Sequence, residues 1–582
     1  MLEGVEVSKI KKKKKRINSI TLLAILIIIL IVIFNQDVIK IFKKSIAVET
    51  MYIASTNNEV EIYHLENDTL IKEKSIPRGT KITTKNNTIN YEEIEYKEIF
   101  INNNTYYVTN NNLVKNKRDV VKEKIIYVRT PTSILKDLDS SQILSLAKKK
   151  DEVEVLDYNY INESGDVDTY KIKFNDQEGY IYGKYTTISK EEASKNYDQN
   201  LYDNIYSKVS NTFNGGEAKN LDFYPYEKAN FKNNVMPNSV YSLYLNCSND
   251  VINNIDNYIE FAKDTKINSF VVDIKDNESP AYPAKTFKEL SPTNYEHAIN
   301  NYDKYKEAII KLKEAGFYII GRITTFKDSY FVKDNPNTAI MDKNTNSPYQ
   351  HNGSYWPSAY NRDVWYYNVS LAKEAVEEFG FNEINFDYVR FPDRMQKVES
   401  EIDLRNTYNE DKTQAIERFV RYATDEIHKV GAYVSIDVFG ETTNGTYTTA
   451  YGQYWPSISN IADVISGMPY PDHFSNGYYG INKPWNHPYE LLKTWATFAI
   501  DRQNETPSKA KVRTWIQAYD VMKYVDSNGI SYNANELEQE IRALYESGLD
   551  GGYITWLSNS SLDKYNKQKD AFKIDYQKEY NS

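Results

Sequence analysis

Eight short apolar segments, each followed by enough chain for a helix, constrain the fold of this chain more than any other feature. The segments span residues 239–245, 269–275, 317–325, 383–390, 432–439, 462–469, 511–519 and 552–558. Apolar residues recur at helical spacing between several of them, over 302–315, 364–379, 413–430 and 536–546. Strands that alternate with helices are typical of a parallel sheet, and eight units over about 320 residues predict an α/β fold of the (β/α)8 TIM-barrel class. A doubly wound open sheet is the alternative, but no glycine-rich phosphate loop follows the first strand to indicate a dinucleotide cofactor.

The ends of the predicted strands, where such a barrel has its active site, are unusually polar. The side chains found there are Asp273, Lys275, Asp276, Arg322, Lys327, Asp328, Asp387, Arg390, Asp437, Glu441, Tyr470, Asp472, His473, Gln517 and Trp556. Acids at several strand ends, with Arg, Gln, Tyr and Trp among them, predict a cleft for a polar, flat-faced ligand such as a sugar.

The fourth segment is the most informative single stretch, because an apolar strand pattern ends there on an acid and a base. It reads Glu-Ile-Asn-Phe-Asp-Tyr-Val-Arg-Phe-Pro over 383–392 and contains Asp387 and Arg390. Pro392 has no backbone N–H and cannot continue a central ladder. A catalytic Asp387 is one interpretation, and a structural Asp387–Arg390 ion pair is the alternative.

Residues 237–560 resemble a bacterial glycoside-hydrolase domain family of uncharacterised function that is distantly related to the α-amylase and α-galactosidase barrels. The resemblance rests on motifs at 270–276 (FVVDIKD), 385–392 (NFDYVRFP), 435–440 (SIDVFG), 468–474 (MPYPDHF), 488–489 (PY), 512–517 (VRTWIQ) and 551–556 (GGYITW). Two departures, Gly467 in place of a proline and Asp472 in place of a serine, affect a substrate loop and leave the proposed acids in place.

The resemblance implies glycoside hydrolysis, which needs one carboxyl to protonate the leaving oxygen and one to act as nucleophile or activate water. Asp387 is the predicted nucleophile. Asp437 is the predicted acid/base, since its apolar neighbours would raise its pKa, and Glu441 and Asp472 are rivals. A retaining mechanism needs the two carboxyls about 5 to 5.5 Å apart, and an inverting one about 6.5 to 9.5 Å. A structural role remains the alternative for Asp437.

The predicted substrate-binding residues combine charged, amide and aromatic side chains, and Asp273 could instead form a structural pair with Lys275. They are Asp273, Lys275, Arg322, Arg390, Tyr470, His473, Gln517 and Trp556. No two of the six histidines have a metal-ligand spacing, and the single cysteine, Cys247, cannot form an intramolecular disulfide. We therefore expect no metal and no cofactor.

The N-terminus predicts a membrane location. A basic cytoplasmic tail, residues 1–16, precedes an apolar stretch at 17–36 that is about 18 residues long, near the lower limit for a transmembrane helix. No cleavage motif follows, so an uncleaved signal anchor with the remaining chain extracellular is expected. The tail has seven Lys/Arg and two Glu, a charge of +5, so the chain total of −10 leaves −15 for the rest. This acidity argues against a nucleic-acid partner.

Two all-β segments, 48–115 and 123–190, lie between the anchor and the barrel. The second ends in a Gly-Tyr-Ile motif at 179–181 that resembles bacterial SH3-like modules, and the first could be a diverged copy. Such modules could bind cell wall or act as spacers. Residues 191–236 are predicted to be a linker or strap, 237–562 the barrel, and 563–582 a C-terminal tail.

Together these patterns predict a membrane-anchored extracellular glycoside hydrolase that acts on a cell-wall or other extracellular polysaccharide with a retaining mechanism. Two alternatives use the same residues: a catalytically inactive glycan-binding scaffold and a transglycosylase.

Overall fold

The structure is a computed structural model that describes residues 48–209, 211–445 and 449–580. The predicted tail and anchor, residues 1–16 and 17–36, lie outside the described residues. Among the residues described, no helix is both long and apolar enough to cross a membrane.

The C-terminal part of the chain contains a nearly closed, barrel-like parallel sheet, with helices in most of the connections between its strands. Its strands are Val240–Leu245, Ser269–Asp276, Tyr318–Thr324, Glu383–Asp387, Tyr433–Phe439, Val464–Met468, Lys511–Val512 with Thr514–Gln517, and Gly552–Trp556. The first strand pairs with both the second and the last, and the others follow in chain order. The seventh strand is interrupted at Arg513: its first piece pairs with the sixth strand and its second piece with the eighth. The mixed α/β architecture predicted from the alternating segments is confirmed.

The interruption of the seventh strand at Arg513 coincides with a buried ion pair. The Arg513 side chain is fully buried and its Nη1 donates to Glu383 Oε1 at 2.6 Å. Tyr318 donates its hydroxyl to the other Glu383 oxygen at 3.0 Å. Burying a charge is costly unless it is paired and hydrogen-bonded, and here Arg513 and Tyr318 together satisfy both oxygens of Glu383 at the start of the fourth strand.

The helices of this part begin and end with recognisable caps. Helix Arg362–Phe379 begins after Asn361, whose side chain accepts from Asp363 N and Val364 N, and it ends at Gly380 with a φ of 69°. Helix Lys412–Lys429 begins with a capping box between Asp411 and Gln414. These arrangements satisfy backbone groups that helix ends leave unpaired. The described α-helices are Lys190–Ser194, Gln199–Asn204, Asn249–Asn253, Ile255–Lys263, Lys285–Leu290, Pro292–Glu296, Tyr302–Glu314, Ser329–Asp334, Arg362–Phe379, Lys412–Lys429, Trp455–Ile461, Pro488–Asn504, Ala534–Tyr545, Leu562–Lys573 and Tyr576–Tyr580.

The two all-β segments have the same strand order. The first segment has strands Glu49–Ile53, Glu59–Glu66, Thr69–Pro77, Lys81–Tyr91, Ile94–Ile101, Asn104–Thr109 and Leu113–Val114. The second has strands Ile125–Val128, Thr132–Leu135, Ile143–Ala147, Glu152–Tyr158, Thr169–Phe174, Gln177–Tyr182 and Thr186–Thr187. In each, the seven strands lie side by side in the order third, second, sixth, fifth, fourth, first, seventh. This shared order is what two copies of one module would have, and their SH3-like nature stays a prediction.

The chain divides into two compact units. One comprises residues 48–124 and 158–168, with an apolar core that includes Ile53, Ile62 and Ile99. A buried ion pair within it joins Arg78 Nη1 to Glu123 Oε1 at 2.7 Å. The other comprises residues 125–157 and 169–580, so most of the second all-β segment forms one body with the barrel.

A buried polar contact joins the second all-β segment to barrel helix Lys412–Lys429. Tyr185 donates its hydroxyl to Asp425 Oδ2 at 2.8 Å, Tyr226 donates to Asp425 Oδ1 at 2.7 Å, and the Lys184 ammonium lies 2.6 Å from the same oxygen. Tyr182 donates to Glu426 Oε1 at 2.5 Å. The acidic face of this helix is therefore covered by tyrosines of the preceding segment and strap.

We expect Tyr185→Phe to lower the free energy of unfolding of this unit by about 2 kcal/mol, because it leaves the buried Asp425 carboxylate with one donor fewer. Urea unfolding followed by circular dichroism measures the change. Tyr197→Phe removes a hydroxyl from a tyrosine that is 52% exposed and serves as the matched control. Equal stability losses in the two variants would contradict the proposed role of the Asp425 contact.

Candidate active site

Arg322, near the end of the third barrel strand, organises the acids of its two neighbouring strands. Its Nη1 donates to Asp273 Oδ1 at 2.7 Å on the second strand. Its Nη2 and Nε donate to Asp387 Oδ2 at 2.6 and 3.2 Å on the fourth strand. The register places Arg322 beside Asp273 and Asn385, so all three strand ends meet at this guanidinium. Such charge-assisted bonds fix both carboxyls in position.

Asp387 is the last residue of its strand, and the backbone turns sharply after it. Tyr388 has a φ of 53°, a conformation that L-residues rarely adopt and that ends the ladder. The Tyr388 N–H donates to Asp387 Oδ1 at 2.6 Å. The Asp387 side chain is 10% exposed, whereas those of Asp273 and Arg322 are 1% exposed. Among these three linked side chains, Asp387 is therefore the one that a substrate can reach.

Asp437, on the fifth strand, has an environment opposite to that of Asp387. Its Oδ1 accepts from Asn385 Nδ2 at 2.7 Å and from Trp515 Nε1 at 2.8 Å. Its Oδ2 has no hydrogen-bond partner among the described residues. Burial, and secondarily the charge of Asp387, raise the pKa of Asp437 well above its usual range. Both effects favour the protonated form of this carboxyl.

The Asp273 side chain is buried below the site. It accepts from Arg322 and from the hydroxyl of Tyr244, and its own carbonyl accepts from Tyr305 at 2.8 Å. Burial raises its pKa to about 7, although Arg322 acts in the opposite direction. These contacts give Asp273 the role of holding Arg322, and its contact with substrate stays a prediction.

Tyr470, Trp556 and His473 lie around the acids and differ in how far they are exposed to solvent. Trp556 is half-buried, with its ring centre 5.2 Å from the Arg322 guanidinium carbon. Tyr470 is buried in the apolar cluster that fills the barrel interior. The His473 ring lies 5.1 Å from that of Tyr470, and its side chain is 55% exposed. Trp556 and His473 are thus available to a ligand at the surface of the site.

Two predicted substrate-binding residues are engaged elsewhere. Lys275 Nζ pairs with Asp328 Oδ2 at 2.7 Å, and both side chains are fully buried. A register shift between Asp273 and Lys275 breaks the alternation, so these two residues do not form the predicted pair with each other. The Gln517 side chain accepts from Asp472 N at 3.1 Å and donates to Tyr519 O at 3.2 Å. These contacts occupy the Lys275 ammonium and the Gln517 amide, and contact of either residue with substrate stays a prediction.

Arg390 and Asp472 also have partners that differ from those predicted. Asp387 pairs with Arg322, and the nearest carboxylate to Arg390 is Asp393 at 3.7 Å. The structural Asp387–Arg390 ion pair, which was the alternative to a catalytic Asp387, is therefore not formed. The Asp472 side chain is buried and accepts from the hydroxyl of Tyr519 at 2.6 Å, which argues against an acid/base role.

Glu441 remains a second candidate for the acid/base. It lies in the 3-10 turn Gly440–Thr443 after the fifth strand and is half-buried. Burial raises its pKa, against an opposing effect of Arg394.

Asn385, Trp515 and Tyr244 belong to the site and were absent from the predicted set. Asn385 precedes Asp387 by two residues on the same strand, so period-two alternation could have placed both on one face. Trp515 lies within a motif of the family resemblance. No sequence pattern links Tyr244 to Asp273, because their contact depends on the pairing of two strands.

The described residues contain no group of three or more His, Cys, Asp or Glu side chains that could hold a metal ion.

The solved structures that match this chain superpose on it with low TM-scores. A hypothetical protein from Ruminiclostridium thermocellum is 29% identical over 34% of this chain and 97% of its own, with a TM-score of 0.28. The PgaB (BpsB) glycoside hydrolase domain from Bordetella bronchiseptica is 11% identical over 58% of this chain and 99% of its own, with a TM-score of 0.42. The spore cortex-lytic enzyme SleL from Bacillus cereus is 11% identical over 58% and 76%, with a TM-score of 0.36. A comparison with curated proteins found no match.

A family model gives the assignment. The model described as "Putative glycosyl hydrolase domain" matches residues 242–562, which contain all eight strand ends of the site. Since this match covers more than half of the chain, the protein belongs to that family of glycosyl hydrolase domains.

Proposed function

We propose that this protein is a retaining glycoside hydrolase with a (β/α)8 TIM barrel, in which Asp387 is the nucleophile and Asp437 the acid/base. The observation that carries the proposal is the contrast between two neighbouring carboxyls. Asp387 is held by a guanidinium and a backbone N–H, whereas Asp437 is buried with a raised pKa and a free oxygen. Two titratable groups in opposed environments are the usual signature of a nucleophile and a general acid.

The chemistry follows from these environments. Protonated Asp437 gives its proton to the glycosidic oxygen as the C–O bond breaks, and an Asp387 oxygen bonds to the anomeric carbon. The Asp437 carboxylate then takes a proton from water, whose oxygen displaces Asp387 from the anomeric carbon. Both carboxyls return to their starting state, and two inversions retain the configuration.

The strand register supports retention over inversion. Phe386 and Ile436 are register partners on adjacent parallel strands, so Asp387 and Asp437 follow as neighbours. Adjacent strands lie about 4.8 Å apart, so neighbouring strand ends can bring two carboxyls within the short range that a retaining mechanism needs. The effect of the Asp387 charge on the pKa of Asp437 is consistent with this proximity.

The proposed substrate is a cell-wall or other extracellular polysaccharide. The test incubates the full-length chain, wild type beside Asp387→Asn, with a panel of such polysaccharides while new reducing ends are counted. Release by the wild type alone supports the proposal and identifies the substrate. Glycan binding without any release by the wild type would favour a scaffold, and transfer products without net hydrolysis would favour a transglycosylase.

Asp437 and Glu441 can be distinguished by leaving group and pH. We expect Asp437→Asn to lose about two to four orders of magnitude in kcat/KM on the polysaccharide and far less on an aryl glycoside, whose leaving group needs no proton. The acid must be protonated to act, so wild-type kcat/KM falls as pH rises through the raised pKa of this group.

Initial rates of Asp437→Asn and Glu441→Gln across pH measure this difference. The alkaline fall should disappear in Asp437→Asn and persist in Glu441→Gln. The reverse pattern would assign the acid/base role to Glu441.

The cellular location is a further part of the proposal. The basic residues 1–16 and the apolar stretch 17–36 support a single-pass anchor with the N-terminus in the cytoplasm and the catalytic domain outside. The repeated all-β segments would then lie next to the cell wall and could bind it. Protease added to intact cells should degrade the domain after residue 36, and protection of that domain would contradict the orientation.

A further inference from the structure

We propose that the sugar bound beside Asp387 carries an anionic group, a carboxylate or a phosphate, and that Lys327 and Arg390 recognise it. The proposal rests on the function proposed above and names the substrate class of the same site. It starts from two cations, one before Asp387 in the sequence and one after it. Both lie close to the ring of Tyr388.

Lys327 is a half-buried cation at the mouth of the third strand. Its Nζ lies 5.0 Å from the centre of the Tyr388 ring. Within the described part of the chain, no carboxylate lies within ion-pair distance of this ammonium, whereas Lys275 on the preceding strand pairs fully with Asp328. A half-buried ammonium held over an aromatic ring and without a carboxylate is available to a charged ligand.

Arg390 places a second cation on the same ring. Its guanidinium carbon lies 4.9 Å from the centre of the Tyr388 ring and 4.4 Å from that of Phe439. One nitrogen, Nη1, donates to Phe391 O at 3.1 Å, and the residue is 8% exposed. Its contacts are thus mainly with aromatic faces, which leave a guanidinium's in-plane donors free for an oxyanion.

The acids closest to Arg390 in sequence are already engaged with other groups. Asp393 is shared between Arg390 at 3.7 Å, Arg394 at 3.8 Å and His351 at 3.6 Å. Asp387 is already paired with Arg322. Asp393 therefore divides its charge among three groups, and Lys327 has no carboxylate within ion-pair distance among the residues described.

This position suits an acidic sugar. Tyr388 follows Asp387 directly, so a sugar whose anomeric carbon lies at Asp387 lies next to the ring on which both cations are placed. An anionic substituent on that sugar, such as a uronate carboxylate or a phosphate ester, would meet an ammonium and a guanidinium. Charge-assisted bonds of this kind favour the acidic over the neutral polymer.

The test measures binding, so it does not depend on turnover. The full-length Asp387→Asn chain is titrated by calorimetry with uronate-containing wall polysaccharides, with the same polymers after chemical reduction of their carboxyls to alcohols, and with a phosphate-containing teichoic acid. The same titrations are made in Asp387→Asn chains that also carry Lys327→Gln or, as the matched control, Lys333→Gln. Lys333 is an exposed lysine of helix Ser329–Asp334 and undergoes the same loss of charge.

We expect at least one acidic polymer to bind about tenfold more tightly than its neutral counterpart, with the preference lost in Lys327→Gln and kept in Lys333→Gln. Preference for the uronate polymer assigns a carboxylate, and preference for the teichoic acid assigns a phosphate. Equal affinity for the charged and reduced polymers, binding of none of the acidic polymers, or equal losses in Lys327→Gln and Lys333→Gln would overturn the inference. Failure of wild-type hydrolysis alongside a preserved acidic preference would instead count against the proposed function.

Discussion

Asp387→Asn is expected to lower kcat/KM by about four orders of magnitude or more, the scale observed when a catalytic nucleophile is removed. The amide keeps the shape of the side chain but cannot form the glycosyl ester. Initial-rate measurements on the polysaccharide identified by reducing-end release give the value. Since removal of the nucleophile also removes a partner of Arg322, the folded fraction must be checked by circular dichroism.

Asp276→Asn is the matched control for that change. Asp276 also approaches Arg322, at 3.4 Å, but its side chain is 40% exposed. We expect its kcat/KM to stay within a few fold of wild type, because the charge is screened by solvent. If Asp387→Asn retained activity similar to that of Asp276→Asn, Asp387 would not be the nucleophile.

Arg322→Met should have the largest effect on stability. It removes the shared partner of Asp273 and Asp387 and leaves a buried carboxyl uncompensated, so we expect the free energy of unfolding to fall by about 3 to 5 kcal/mol. Urea unfolding measures the loss. Arg394→Met, at a side chain that is 89% exposed, should change stability little.

A double variant tests the reason for that loss. Arg322→Met leaves the carboxylates of Asp273 and Asp387 without their shared partner. Adding Asp273→Asn removes one of these two charges, so part of the lost stability should return. Additive losses in the two variants would show that Asp273 and Arg322 are not coupled, contrary to the 2.7 Å contact between them.

The sequence predicts the parallel strands well because the apolar pattern and the helix-length spacers both reflect burial. It also identifies Asp387, Asp437 and Arg322 as strand-end residues. Their partners are less predictable, because Arg322 joins two strands that are separated from it by whole helices. The contact between Arg322 and Asp387 spans 65 residues in sequence, beyond the reach of any local pattern.

Lys275 and Gln517 show where local patterns fail. Period-two alternation places Lys275 on the same face as Asp273, but the irregular register between them changes the direction of the side chain. Gln517 is the last residue of an interrupted strand, and its amide bonds to Tyr519 O and to Asp472 N. Bulges and breaks of this kind depend on neighbouring strands.

Helix Lys412–Lys429 shows the same limit outside the site. Its apolar spacing predicts one buried face, yet Asp425 and Glu426 on another face are also buried. The hydroxyls of Tyr185 and Tyr182 cover these acids. The sequence does not reveal that an all-β segment packs there.

Covalent trapping tests most directly whether Asp387 is the nucleophile. The sugar found at the new reducing ends is prepared as its 2-deoxy-2-fluoro glycoside with a good leaving group, incubated with the full-length chain, and the labelled peptide is identified by mass spectrometry. We expect one added glycosyl group, on Asp387. A label on another carboxyl, or hydrolysis with inverted configuration and no label, would contradict this expectation.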